Sequence, residues 1–534
     1  MRDGRLRRFL GGLSLGYVQM AATIVTGLWM TPFLLRRLGS HDYGLWLLGT
    51  QVLTYLALMD LGVVALIPRE VAAAAGRAEE VRRGRLEAAH DGDRSELQAL
   101  VGQTARLVVW QLPAVAVAGA VVLWMMPSEW IALRWPMGFV VLTFVATFPL
   151  RIFSALLQGL QDLTFLGIVQ FGSWAAGVVI TFIAAALGYG LYALACGWIT
   201  TQIVTVGFAW RRLRRTHPEV FPSTLPSLSL STAWQQLSRG AWISVNQVAQ
   251  VLLVGTDLMV VGKLLGPEAV VPFACTGRLA NMLANQPQMF MQMALPALSS
   301  LRTSAPRERL FDVSKSMAQV MLLLSGAIVA VVLAVNGPFV TWWVGAGRFG
   351  GVGLTALLLA GMLARHINVT AIYTLFCFGN ERRLALTSIG DGLVALISML
   401  VLVPMFGLYG AALGSLIGTC AVSLPNNFAA LGRELGASPI EFLRPLRPWL
   451  MRFPAIVGII VLLSYAWDAH GLWRFAPLAA GVGLAYAIAM VPAVRTPPLG
   501  DLIRERVYPA LSKMYVASGF SRTFSRTVSR TFAR

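Results

Sequence analysis

Arg365, His366 and Asn368 stand together in the middle of a long apolar run, with about 13 residues on either side of Arg365. If that run crosses a bilayer, an ionisable side chain at its centre costs about 2.5 to 3.5 kcal/mol on insertion scales, so it needs a partner or a purpose. A planar guanidinium bonds two oxygens of a phosphate or carboxylate at once, which makes Arg365 the first candidate for touching an anionic ligand, with His366 and Asn368 beside it. Asp391 on the next run lies about seven residues from its inner end, and no acidic residue matches the depth of Arg365. Bonding to backbone carbonyls, or reaching into water without touching a ligand, is the bland alternative for Arg365.

Uncharged polar residues form stripes at helical spacing. Arg278, Asn281, Asn285, Gln288 and Gln292 fall near one face of a helix. Gln19, Thr23 and Thr26 fall on one face of another, and Asn246, Gln250 and Asp257 on one face of a third. Lipid rejects such faces, so each must line either a helix contact or a hydrated space. Amides suit a ligand with many hydroxyls, because each both donates and accepts. Four charged residues pair by depth: Asp60 with Arg151 about 10 Å from the inner surface, and Asp257 with Arg278 about 12 Å from the outer one, at 1.5 Å per residue. Salt bridges holding a lobe together and contacts with a ligand are equally open for these four.

The elements carrying these residues are membrane helices. Of the 534 residues 57% are hydrophobic and only 13% charged, against roughly 25% in soluble domains, and the mean hydropathy is +0.68. Apolar runs of about 20 residues recur along the chain. They predict spans over 12–35, 43–67, 105–126, 137–158, 163–187, 190–210, 241–265, 270–298, 315–337, 352–378, 384–404, 408–431, 450–467 and 473–494, fourteen helices in all. The N-terminal run is too long for a signal-peptide core and reads as a retained first helix.

A net charge of +19 would suggest nucleic acid in a soluble protein. Here 34 of the 43 Lys and Arg fall on one side of the predicted spans, six on the other and three within spans. Short cytoplasmic loops carry such an excess, so the basicity is a collar facing anionic lipid, both termini are cytoplasmic, and the nucleic-acid reading loses its support. Cys196, Cys275, Cys377 and Cys420 stand alone in separate spans, which indicates neither disulfides nor a metal site, and no cofactor is expected. Gly345, Gly347 and Gly350 spell GxGxxG in an outer loop with no strand before it, and no GxxxxGK[ST] occurs. Outer loops of about 3 to 15 residues leave no room for a catalytic domain.

The chain repeats itself. RRLGSHDYGLW aligns with GKLLGPEAVVPF at an offset of 227 residues, anchored by Leu38-Gly39 and Leu265-Gly266, and Gln19 then matches Asn246. YGLYALACG aligns with FGLYGAALG at an offset of 217, matching Gly190 with Gly407. Two six-helix lobes of the same handedness follow, an arrangement that usually places substrate between the halves. The expected organisation is an N-lobe over 1–210, a cytoplasmic linker over 211–237, a C-lobe over 238–431, two extra helices over 446–494 and a basic tail over 495–534. Gly410, Gly414 and Gly418 form GxxxGxxxG, a pattern for close helix packing. Pro32, Pro113, Pro149, Pro287 and Pro296 mark places where spans can bend. The terminal SRTFSRTVSRTFAR reads as a basic amphipathic surface helix or a disordered basic tail.

LGSHDYGLW, LMDLGVVALIPREVA and TDLMVVGKLLGPEAVVPFACTGRL, in this order and spacing, resemble the polysaccharide transporter (Wzx-type oligosaccharide flippase) family of the multidrug/oligosaccharidyl-lipid/polysaccharide exporter superfamily, over about residues 6 to 431. Phe273 stands where many relatives have Tyr. The resemblance implies an all-α polytopic protein of the bacterial inner membrane that flips an undecaprenyl-pyrophosphate-linked oligosaccharide, with membrane lipids, a polysaccharide polymerase and glycosyltransferases as partners. The same superfamily offers a cation-coupled drug antiporter and a lipid II flippase. The first usually holds an Asp in its first helix, where this chain has no acidic residue between Phe9 and Gly39. The second carries arginines within helices 1, 2 and 8, where this chain has only Arg278. A membrane enzyme of glycan assembly is the remaining class, weakened by the short loops.

Overall fold

A computed structural model describes residues 2–58, 92–221, 255–304, 306–436, 438–466 and 472–507, and in part 64–72 and 245–253. The described residues are helical throughout, with no strand among them. Asp60, Asn246, Gln250, most of the expected linker over 211–237 and the terminal arginine repeat lie outside them. Nine helices among the described residues are long and apolar enough to cross a membrane, which makes the chain a multi-pass membrane protein; the count of fourteen is not reached within the described set.

Contacts divide the chain into two units, Met1–Val271 and Pro272–Arg534. The first holds α1 (Arg2–Ala57), α2 (Gly92–Trp124), α3 (Ile131–Thr147), α4 (Arg151–Gly159), α5 (Leu163–Ala186), α6 (Leu191–Thr216) and α7 (Thr256–Leu264). Helix α8 (Pro267–Ser304) begins in it and continues into the second. The second adds α9 (Arg307–Val344), α10 (Val352–Cys377), α11 (Glu381–Phe406), α12 (Leu408–Gly418), α13 (Leu424–Leu435), α14 (Arg447–Ala466) and α15 (Leu472–Ala489).

Within the first unit the two expected N-terminal spans join into one helical stretch, bent where Gly39 takes φ 81° and ψ 171°. The expected span 137–158 starts earlier and breaks at Phe148–Leu150. Pro149 sits in that break, where it offers no amide hydrogen and clashes with the carbonyl four residues back. The glycine anchors of the repeat share backbone conformations. Gly39 and Gly266 have φ of 81° and 89°, and Gly190 and Gly407 have φ/ψ of 56°/−135° and 59°/−133°. Only glycine takes such angles without strain, so two helix starts carry the same residue for the same reason.

In the second unit the GxxxGxxxG stripe of α12 lies against α11. A β-carbon on Gly414 would stand 2.7 Å from the Met399 nitrogen, and one on Gly418 would stand 2.7 Å from the Asp391 carbonyl oxygen. The appended helices dock on α9. Trp449 donates to the Tyr486 hydroxyl at 2.9 Å, and Tyr486 donates to the Leu323 carbonyl at 3.0 Å, both above Gly326. Toward the end of the pair, the Gln319 amide donates to the Thr496 carbonyl and accepts from the Leu499 amide. These bonds give α14 and α15, which have no counterpart in the repeat, a fixed seat.

Gly414→Leu drives a side chain into the backbone of α11, which cannot rotate away. A loss of about 1 to 3 kcal/mol is expected, seen as a lower unfolding temperature in detergent; an unchanged melting curve would contradict the packing.

Candidate functional site

Helix α10 is apolar enough to span the membrane, yet it carries Thr355 near one end and a polar cluster from Arg365 to Thr374, and most of these side chains meet a neighbour within the second unit. Near one end Asn336 of α9 donates to Thr355 Oγ1 and to the Thr276 carbonyl, both at 2.9 Å. At the centre His366, 1% exposed, has Nδ1 2.6 Å from Ser325 Oγ. Two residues on, Asn427 donates to Asn368 Oδ1 at 2.8 Å, and Thr374 follows, donating to Ser314 at 3.1 Å. At the other end Arg302 donates to the Cys377 carbonyl. In a bilayer core without water, such pairing is what lets polar side chains persist.

Arg365 faces the other way, toward α12, and donates to Ser415 Oγ. Its Nε has no partner. One turn along the same helix Asp391 of α11, 2% exposed, lies against Gly418, with hydroxyls of Ser423 and Thr419 within bonding reach of its carboxylate. Arg365 acts on this carboxylate electrostatically. Counting residues from helix ends set the two at different depths; in the fold both reach the same stretch of α12, because a long guanidinium side chain spans a turn. Gly418 has no side chain, so α11 approaches closely there, and the chain widens into a π turn at Thr419–Ser423 before α13. Single π turns in α-helices are frequent at functional positions.

The remaining sequence candidates separate clearly. His366 and Asn368 are buried and spend polar atoms between helices. Along α8, by contrast, Asn281, Asn285 and Gln292 are exposed, while Arg278 and Gln288 are half-buried. Gln19 is half-buried on α1. Arg151 lies under the rings of Phe144 and Phe148, 5.9 and 5.8 Å from their centres. Asp257 accepts from the Leu258 amide at 2.9 Å; it belongs to the first unit and Arg278 to the second. Among the described residues no three His, Cys, Asp or Glu side chains gather as a metal site would.

Sequence reasoning missed Ser415, Thr419, Ser423, Asn336 and Asn427. The glycine stripe was the available signal for the first three, since a helix that admits a neighbour at Gly418 also brings that neighbour's Asp391 to its polar residues.

Residues 105–347 match the model of a polysaccharide biosynthesis protein family. The chain is similar to the uncharacterized membrane protein EpsK of Bacillus subtilis (strain 168), 20% identical over 425 residues that cover 77% of this chain and 80% of that protein. Among solved structures its fold is similar to the lipid II flippase MurJ in an inward closed conformation, with a TM-score of 0.64, 12% identity, and coverage of 91% of this chain and 98% of the other. It is also similar to an inward-facing multidrug resistance MATE family transporter of the MOP superfamily, with a TM-score of 0.60, 13% identity, and coverage of 80% and 98%. The family match is confined to residues 105–347, and the likeness to the solved structures shows a shared fold.

Asn368→Ala leaves the Asn427 amide buried without its acceptor, at a cost of about 1 to 3 kcal/mol. Removing both amides should cost less than the sum of the single losses. Additive losses in a double-mutant cycle of unfolding would show that the pair does not couple.

Proposed function

We propose that this chain is a flippase that moves an undecaprenyl-pyrophosphate-linked oligosaccharide, a precursor of surface polysaccharide or lipopolysaccharide O-units, outward across the bacterial inner membrane by alternating access, with both termini cytoplasmic and no covalent chemistry. The observation that carries this reading is the open amide stripe of α8: Asn281, Asn285 and Gln292 are exposed on a helix of a membrane protein, whereas the polar residues of α10 are packed away. Exposed amides need water or a polar ligand, and a sugar head provides matching hydroxyls. The match to a polysaccharide biosynthesis family supports the same substrate class.

The head group needs the protein; the polyprenyl tail stays in lipid. Arg365 and Arg278, both half-buried, offset phosphate charge. An inside-negative potential favours outward movement of an anion by about 2.3 kcal/mol per charge per 100 mV, so transport can proceed without nucleotide hydrolysis. A polysaccharide polymerase and glycosyltransferases of the same glycan are the expected partners. A cation-coupled drug antiporter needs an intramembrane carboxylate exposed to its cavity, whereas Asp391 is 2% exposed, and that second reading stays only as an outcome of the test.

A strain lacking the gene is complemented at matched protein levels and scored for surface polysaccharide. Arg365→Ala should abolish the polymer and Arg365→Lys should restore part of it; normal polymer from both removes Arg365 from the mechanism. A deletion that sensitises cells to drugs and leaves the glycan intact would favour the antiporter. Asn281→Ala with Asn285→Ala should lower export by about tenfold, two lost hydrogen bonds at about 1 kcal/mol each giving at least that factor. Unchanged export would remove the stripe from the route.

A further inference from the structure

The fold builds one corner twice. In the first unit α4 ends at Leu160 (φ/ψ −75°/2°), Gln161 takes φ 64°, and Asp162 (−83°/50°) precedes α5. In the second unit α10 ends at Phe378 (−86°/−1°), Gly379 takes φ 78°, and Asn380 (−82°/33°) precedes α11. The two stretches match residue for residue at an offset of 218, in line with the repeat.

Each corner is tied to the end of the last helix of its half by the same position. Asp162 accepts from Arg212 Nε at 2.8 Å, and Asn380 donates to Glu434 Oε1 at 2.8 Å. The residues that follow differ in charge. Asp-Leu-Thr-Phe at 162–165 carries one negative charge, and Asn-Glu-Arg-Arg at 380–383 carries one positive charge. Where Phe165 provides a ring under Arg212, 4.9 Å from its centre, the second corner has Arg383, which donates to the Asn426 carbonyl at 2.7 Å. Arg302 lies over Phe378 at 5.3 Å. The first copy shows that the corner forms without an arginine pair.

Arg382 and Arg383 line a concavity of about 330 Å³ together with Gly379, Asn380, Leu386 and Thr387, with Glu434 and Arg433 acting on Arg383 from beside it. Leu386 begins an apolar stripe that continues along one face of α11 through Leu393, Ile397, Leu400 and Val401, all exposed. A ligand seated here has an anionic head at the arginines and a hydrocarbon chain along the stripe. We propose that this corner is a binding site for an anionic phospholipid, its phosphate held by Arg382 and Arg383 and its acyl chain laid on α11. Free phosphate shares the head chemistry but leaves the stripe unused. The proposal does not depend on what the chain transports.

The full-length protein, purified in detergent, is titrated with phosphatidylglycerol or phosphatidylcholine, and bound lipid is counted by native mass spectrometry. R382Q/R383Q should lower phosphatidylglycerol binding by about tenfold, given the contribution of each arginine near a charged membrane surface, and leave phosphatidylcholine unchanged. R382K/R383K should fall between that variant and the wild type, because lysine keeps charge and loses the two-pronged geometry. Should R382Q/R383Q melt below the wild type, R382Q alone is read, with about a threefold loss expected. Wild-type binding by these variants overturns the site. So does an equal loss in R211Q/R214Q, which would show attraction to the basic collar as a whole, and so does displacement of the lipid by millimolar inorganic phosphate.

Discussion

A bilayer core offers no water to an unpaired polar group, and this one constraint sorts nearly every informative residue of the chain. A polar side chain at that depth is bonded to a neighbouring helix or stands where water or a polar ligand reaches it. Helix α10 shows the first solution, with His366, Asn368 and Thr374 each bonded to a partner within the second unit. Helix α8 shows the second, with Asn281, Asn285 and Gln292 left exposed.

The glycines make the first solution possible. Helices associate in lipid through close van der Waals approach and interhelical hydrogen bonds, and small residues permit both. Along α12, Gly414 and Gly418 admit the backbone of α11 so closely that Asp391 arrives beside Thr419 and Ser423 and within the field of Arg365. Arg365 therefore has a structural partner in Ser415 while its Nε is buried without one among the described residues, and any role in binding phosphate builds on a guanidinium already oriented by that bond.

Much of the architecture was legible in the amino-acid sequence because hydropathy, arginine placement and glycine anchors are local signals. Gly190 and Gly407 were matched by sequence alone and have nearly the same backbone angles in the fold. The site was legible in residue type but only partly in assignment. His366 and Asn281 look alike along the chain, each a polar residue in an apolar helix; whether a neighbouring helix supplies Ser325 or leaves the amide open is decided by tertiary packing. Depth counting separated Arg365 from Asp391 for the same reason, since it measures position along each helix and takes no account of how far an arginine reaches.

Access of water to α8 tests this account most directly. After replacement of Cys196, Cys275, Cys377 and Cys420, single cysteines at Asn281, Asn285 and Gln292 are compared with cysteines at Leu393 and Ile397 for reaction with a small, water-soluble thiol reagent in intact membranes. The account predicts rapid modification along the α8 stripe and little at the apolar face of α11. Equal, slow reaction at all five positions would contradict it.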